Sequence, residues 1–306
     1  MTPSRRTPVV TAIVLASLTA SFVGIEVWRD AAYGEPAPAD SVLYIRSGEA
    51  VRRMALGFSP LLADVYWVPT VQYYGGTRLS TGKAKRYDLL YPLLDIATSL
   101  DPRFNIAYRF GSIFLAETYP GGAGRPDQAI ALLQKGFRAN PLRWHYLQDI
   151  GFVYYWWLGD YRQAGEWFMK AAEVPGAPWW LRSLAGVTLA QGGDRQSSRR
   201  LWQSMRESAD NEWLRNNAAL RLAQLDALDA IDQLTAIVAG FKARAATTPL
   251  SWEALVRARL LRGIPLDPSG APYALDARTG TVTLSPDSPL NPLPVGSQAA
   301  PAMPAR

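Results

Sequence analysis

LQDIGFVYYWWLGDYRQAGEWFMKAAEVP, Leu147 to Pro175, is the stretch on which the reading of the chain turns. Its first half, Leu147 to Leu158, is dense in aromatic residues and contains no breaker beyond Gly151. Its second half, Tyr161 to Val174, spaces Ala164, Phe168 and Ala171 by four and three, which puts all three on one helical face. Small residues there let two helices approach, and Phe168 fills the gap between them. Gly159 permits the left-handed backbone that ends the first helix, and Asp160 can cap the second. The stretch therefore reads as a helical hairpin. Its apolar surface is too wide for two helices to hide, so it needs neighbours.

The neighbours are written as a repeat. Gly193-Asp194 lies 34 residues after Gly159-Asp160, Ala185 lies 34 after Gly151, and Ala219 lies 34 after Ala185. A 34-residue period with a helix-turn-helix in each unit is similar to the tetratricopeptide repeat family. Gly151, Tyr154, Ala164, Phe168 and Ala171 match its small and aromatic positions, although Gly151 to Gly159 is one residue longer than the usual pattern. The preceding unit matches through Gly111, Phe114, Ala129, Gly136 and Pro141, with TYPGGAGRP inserted in its turn, and an earlier half-unit through Ala97 and Pro102. In the unit after the centre Gly186 and Gly193 fit, while Ser198, Trp202 and Met205 replace the usual Ala, aromatic and Ala. The resemblance covers roughly Ser59 to Ala245. It implies an all-α protein, a right-handed α-solenoid of such hairpins. Carried over from Gly111, Gly151 and Gly186, the family's groove-facing positions are Tyr108, Ser112, Gln148, Phe152, Tyr155, Trp156, Ser183 and Gln191.

Composition narrows the chemistry. The 306 residues are 48% hydrophobic and include eleven Trp and fourteen Tyr, ample for a core. The net charge of +6 is mildly basic, but the Arg residues are scattered along helices, which favours solvated helix faces over a nucleic-acid groove. There is no cysteine, which excludes disulfides, thiol catalysis and Cys-ligated zinc. The single His145 argues against a His-rich metal site or a local His-based triad. No cofactor and no metal are expected.

At the N-terminus, Arg5 and Arg6 precede an apolar run from Pro8 to Val23 that nears the length of a bilayer span. Residues 1–29 read as a transmembrane helix, with a cleaved signal peptide as the rival. The basic flank places the N-terminus in the cytoplasm and the rest of a single-pass bacterial inner-membrane protein outside it. Residues 30–46 read as a linker and 47–246 as the repeat domain. Ser59 and Pro60 open a helix that Pro69 should kink or interrupt. Asp64, on an apolar helix, reads as hydrogen-bonded rather than catalytic. Further helices are expected at Lys83–Leu100, Arg103–Glu117 and Asp127–Ala139. A last hairpin is expected from Asp210–Leu225 and Asp229–Arg244, with Asn211 and Asp229 as caps.

The pattern changes after Ala245. Residues 247–286 read as a short helix, Ser251 to Leu261, followed by a β-hairpin from Tyr273 to Leu284. Ile264, Pro265, Asp267, Pro268, Gly270, Pro272 and Tyr273 match a turn found in bacterial type II secretion major pseudopilins, and 250–284 resembles their C-terminal module, with Ser269 where that family commonly has Trp. Those proteins bind calcium, but Asp267, Asp276 and Asp287 are too dispersed here to form such a site. Residues 287–306 read as a disordered Pro-rich tail.

These features predict a non-catalytic scaffold, anchored in the membrane through its N-terminal helix, that binds a protein or peptide partner along the concave face and binds no nucleic acid. A permanent structural subunit of a membrane or envelope assembly is the alternative. An envelope enzyme acting on glycans would need paired carboxylates. Asp64, Asp95, Glu117 and Asp149 show no spacing that ties two of them to one site.

Overall fold

The computed structural model describes residues 6–33, 48–81, 84–245, 247–249 and 251–294. The protein is predominantly helical, with one two-stranded sheet among the described residues. It divides into two compact units, Met1–Leu100 and Asp101–Arg306.

The first unit opens with α1 (Arg6–Tyr33). Here the expected location is corrected: among the described residues no helix is long and apolar enough to cross a membrane, which overturns the single-pass inner-membrane reading. The helix carries Glu26, Arg29 and Asp30 within its last eight residues, so its C-terminal part is not apolar. The helix also continues to Tyr33, into the expected linker. Residues 34–46, the rest of that linker, and Ser47 lie outside the described residues.

Next come α2 (Gly48–Met54), α3 (Ser59–Leu79) and α4 (Leu90–Leu100). Pro60 starts α3 as expected, and the helix continues past Pro69 without interruption. Packing outweighs the lost backbone hydrogen bond, because Ala63, Thr70 and Tyr74 form one buried stripe. That stripe lies on α4, which buries Leu90, Leu93, Leu94 and Ile96. α4 is shorter than the Lys83–Leu100 expected; Gly82 and Lys83 lie outside the described residues. Asp64 is exposed.

The second unit contains α5 (Asn105–Ala116), α6 (Pro126–Ala139), α7 (Trp144–Val153), α8 (Tyr161–Ala172), α9 (Trp180–Gln191), α10 (Arg195–Glu207) and α11 (Glu212–Ala245). Each packs on the next in the chain, and α5 also touches α7. The turn chemistry repeats with the sequence. Gly159 has φ 65° and Asp160 accepts a hydrogen bond from Gln163 N at 2.9 Å. Gly193 has φ 80° and Asp194 accepts one from Ser197 N at 3.0 Å. Ala164, Phe168 and Ala171 are wholly buried, as their spacing requires. One unit later Ser198, Trp202 and Met205 fill the same seam. The Ser198 hydroxyl sits in a buried alanine-type position because it donates to the Gly186 carbonyl at 2.8 Å.

α11 replaces the expected last hairpin with one helix of 34 residues. Glu212 to Ala239 contains neither Gly nor Pro, so no residue stops the helix. Asn211 does cap it, accepting from Leu214 N at 2.8 Å. Asp229, the other expected cap, lies mid-helix and pairs with Arg195 and Arg199 of α10.

The C-terminal part places α12 (Trp252–Arg257) before β1 (Ala274–Leu275) and β2 (Val282–Thr283), which pair antiparallel with Ala274 opposite Thr283. Trp252 Nε1 donates to the Tyr273 carbonyl at 2.7 Å. The buried Asp267 accepts from the Ser269 and Ala271 amides and from the Ser269 and Ser288 hydroxyls. The tail departs from expectation up to Pro294. Gln224 of α11 donates Nε2 to the carbonyls of Leu290 at 2.8 Å and Pro292 at 3.0 Å, and Leu290 is buried. Residues 295–306 lie outside the described residues.

Candidate functional site

The central hairpin has one residue more between Gly151 and Gly159 than its successor has between Gly186 and Gly193. The backbone takes up that residue as a π-helical turn, Tyr154–Leu158, at the end of α7. Such turns are single insertions in an α-helix and recur at functional sites. Asp160 N closes the turn on the Tyr154 carbonyl at 3.0 Å. Within the turn Trp156 points to solvent, 68% exposed, and Leu158 is exposed beside it. Tyr155 is half-buried, its ring 5.0 Å from that of Trp156 and 5.0 Å from that of Tyr161. The exposed indole therefore stands on an aromatic base rather than on a loop.

The structure separates the eight groove residues. Tyr108 is wholly buried: its ring packs edge-on against Tyr146 at 5.3 Å and covers Gly136. Ser112 is buried with its hydroxyl donating to the Arg109 carbonyl at 2.7 Å, and Gln148 is buried as well. These three serve the seam between helices. Phe152 is half-buried and packs edge-on against Phe168 at 5.1 Å. Ser183 and Gln191 are half-buried on α9. Surface for a partner is left chiefly at Phe152, Tyr155 and Trp156, with Ser183 and Gln191 on the next unit.

No family model matches this chain, nor does any curated protein or solved structure. What the site can do is therefore decided by its own side chains.

Between α5 and α7, Asp149 accepts two hydrogen bonds from Arg109, from Nε at 2.5 Å and Nη2 at 3.0 Å. The Asp149 side chain is 14% exposed and the Arg109 side chain 37%. Burial pushes the Asp149 carboxyl above its ordinary value, against the downward pull of Arg109. The hydrogen bond it donates to Asp149 in turn holds Arg109 further up. His145, stacked on Trp144 at 3.6 Å, is pushed down by burial and then by Arg109. Each charge of the pair is spent on the other, so the pair acts as a strut between the two helices. Sequence reasoning missed it, although the signal was present. Arg109 stands two residues before Gly111 and Asp149 two before Gly151, so the repeat register brings them together.

Proposed function

We propose that the chain is a non-catalytic scaffold of the tetratricopeptide type, its hairpins forming a right-handed α-solenoid that binds a protein or peptide partner. Two things support the repeat reading: the same glycine and aspartate device at both turns, and helices that pack in chain order. One observation carries the binding reading. Trp156 is a large apolar side chain, mostly exposed, held on an ordered helix end by Tyr155 and Tyr161. Such rigid aromatic side chains lose little entropy on docking and dominate binding energy at protein interfaces. Phe152, Ser183 and Gln191 add a mixed apolar and amide rim.

The test is a photo-crosslinking amino acid at position 156 of the full chain, followed by affinity purification from cell extract. A single dominant crosslinked partner, lost from purifications with Tyr155→Ala/Trp156→Ala, is the expected result. Unchanged partners with the double variant, its helicity intact by circular dichroism, overturn the assignment.

A further inference from the structure

A second aromatic feature lies at the opposite end of the same helices and belongs to the repeat itself. Trp144 stands seven residues before Gly151, and Trp179 seven before Gly186. Trp213 stands 34 after Trp179, and Phe104 seven before Gly111. Each successive first helix thus begins at an aromatic residue of the same register. Core packing does not account for the later ones, because Trp179 is 58% exposed and Trp213 62%. The core positions tell the opposite story. Between neighbouring units Ala164, Phe168 and Ala171 become Ser198, Trp202 and Met205, while the exposed indole stays.

The rings also meet one another. Trp144 and Trp180 lie 6.1 Å apart at 85°, and Trp179 and Trp213 lie 5.8 Å apart at 82°. Trp179 and Trp180 are neighbours in the chain, so the two pairs form one row along the starts of α7, α9 and α11. An edge-to-face pair leaves a right-angled notch between two apolar faces, the shape that takes a flat, CH-rich ring. Proline rings on an extended, polyproline-type segment dock in aromatic notches of this kind, at low entropic cost because the segment is already stiff.

Charge selects further. Arg143, Arg182 and Arg215 are exposed beside the row, and among the described residues none has an ion-pair partner, although Arg215 donates Nη2 to the Ala209 carbonyl at 3.3 Å. On α10, by contrast, Arg195 and Arg199 are fully engaged with aspartates of α11. Unspent positive charge along a row of indoles complements an anionic ligand.

We propose that the Trp144–Trp180 and Trp179–Trp213 pairs form a docking surface for an acidic, proline-containing peptide segment, separate from the surface at Trp156. The measurement is fluorescence anisotropy on the full chain with a fluorescein-labelled (Glu-Pro-Pro)5 probe. Comparators are (Glu-Gly-Gly)5, (Lys-Pro-Pro)5 and a dT15 oligonucleotide. The (Glu-Pro-Pro)5 probe should bind at least about tenfold more tightly than any comparator, a difference of about 1.4 kcal/mol. Trp179→Ala/Trp213→Ala should lose at least about tenfold. Trp179→Phe/Trp213→Phe should keep most of the affinity, and Trp156→Ala all of it. Both replaced indoles are exposed, so the variants keep the fold, which circular dichroism checks. The proposal is overturned if dT15 binds as tightly as the acidic peptide, if the alanine pair binds unchanged, or if no probe binds at millimolar protein. A failure at Trp156 with this result intact would remove only the first surface.

Discussion

Gly151 faces Phe168 so closely that a Cβ built on the glycine would lie 2.4 Å from the ring's Cε1. One unit later Gly186 stands to Trp202 in the same way, at 2.8 Å from Cε2. A glycine opposite an aromatic ring is therefore how this chain sets the approach of the two helices in each hairpin. Gly151→Ala would gain about 1 kcal/mol of helix propensity and lose about 1–3 kcal/mol to overpacking. The expected outcome is a net loss of up to about 2 kcal/mol in urea unfolding. Gly151→Ala/Phe168→Leu should recover part of it, because the smaller side chain vacates the space.

The Arg109–Asp149 strut predicts an asymmetry. Arg109→Met strands a mostly buried carboxylate, whereas Asp149→Leu strands an arginine whose side chain is more than one-third exposed and can rehydrate. The first should be the more damaging, by about 2–4 kcal/mol, and the double variant should be close to the parent. In Arg109→Met the folded state favours a protonated Asp149, raised above its unfolded value. Its stability should accordingly increase as pH falls through the folded pKa, read by urea midpoints from pH 8 to pH 5.

The chain's one histidine permits a clean pH experiment. Burial and Arg109 depress the His145 pKa in the folded state, so the unfolded chain takes up the proton first as pH falls. The contribution of the neutral imidazole is complete above the unfolded value of about 6.5 and is lost as pH drops from there through the folded value. His145→Gln should remove that part of the pH slope. In the parent, the imidazole resonances should titrate below about 6.5.

Gln224 ties the C-terminal segment to α11 through two carbonyls. Gln224→Ala should cost about 1–2 kcal/mol. It should also increase hydrogen exchange at Leu290 and Asn291 while leaving the α7–α8 hairpin unchanged. Equal protection in both proteins would show that Leu290 burial alone holds the segment.

How much could be read from sequence depends on how local each cause is. Gly159-Asp160 and Gly193-Asp194 act within five residues, and their turns came out as their chemistry requires. The extra residue before Gly159 could be counted, but not the π-turn that absorbs it, nor the contact of Tyr155 with Tyr161 across the hairpin. Asp229 was misread because an aspartate's cap signal is the same whether it ends a helix or pairs with Arg195 from another. The segment after Ser285 was misread because proline content suggests disorder, while Gln224, some 65 residues earlier, supplies the bonds that hold it. Tyr108 and Gln148 occupy the register expected of groove residues, yet the neighbouring helix covers them. Exposure depends on the approach of that helix, which no local pattern records.

α11 is as long as one complete repeat and has no turn, about 51 Å of uninterrupted helix. Its first half packs with Trp202 and Met205, and its second half carries the β-hairpin through Val238 and Leu234. It thus works as a terminator as well as a splice. Units could be duplicated upstream of α10 and still find a matching neighbour. Any unit inserted beyond Asp229 would have to displace a helix already committed to a different partner. The size of the protein is in this sense adjustable at one end of the array and sealed at the other.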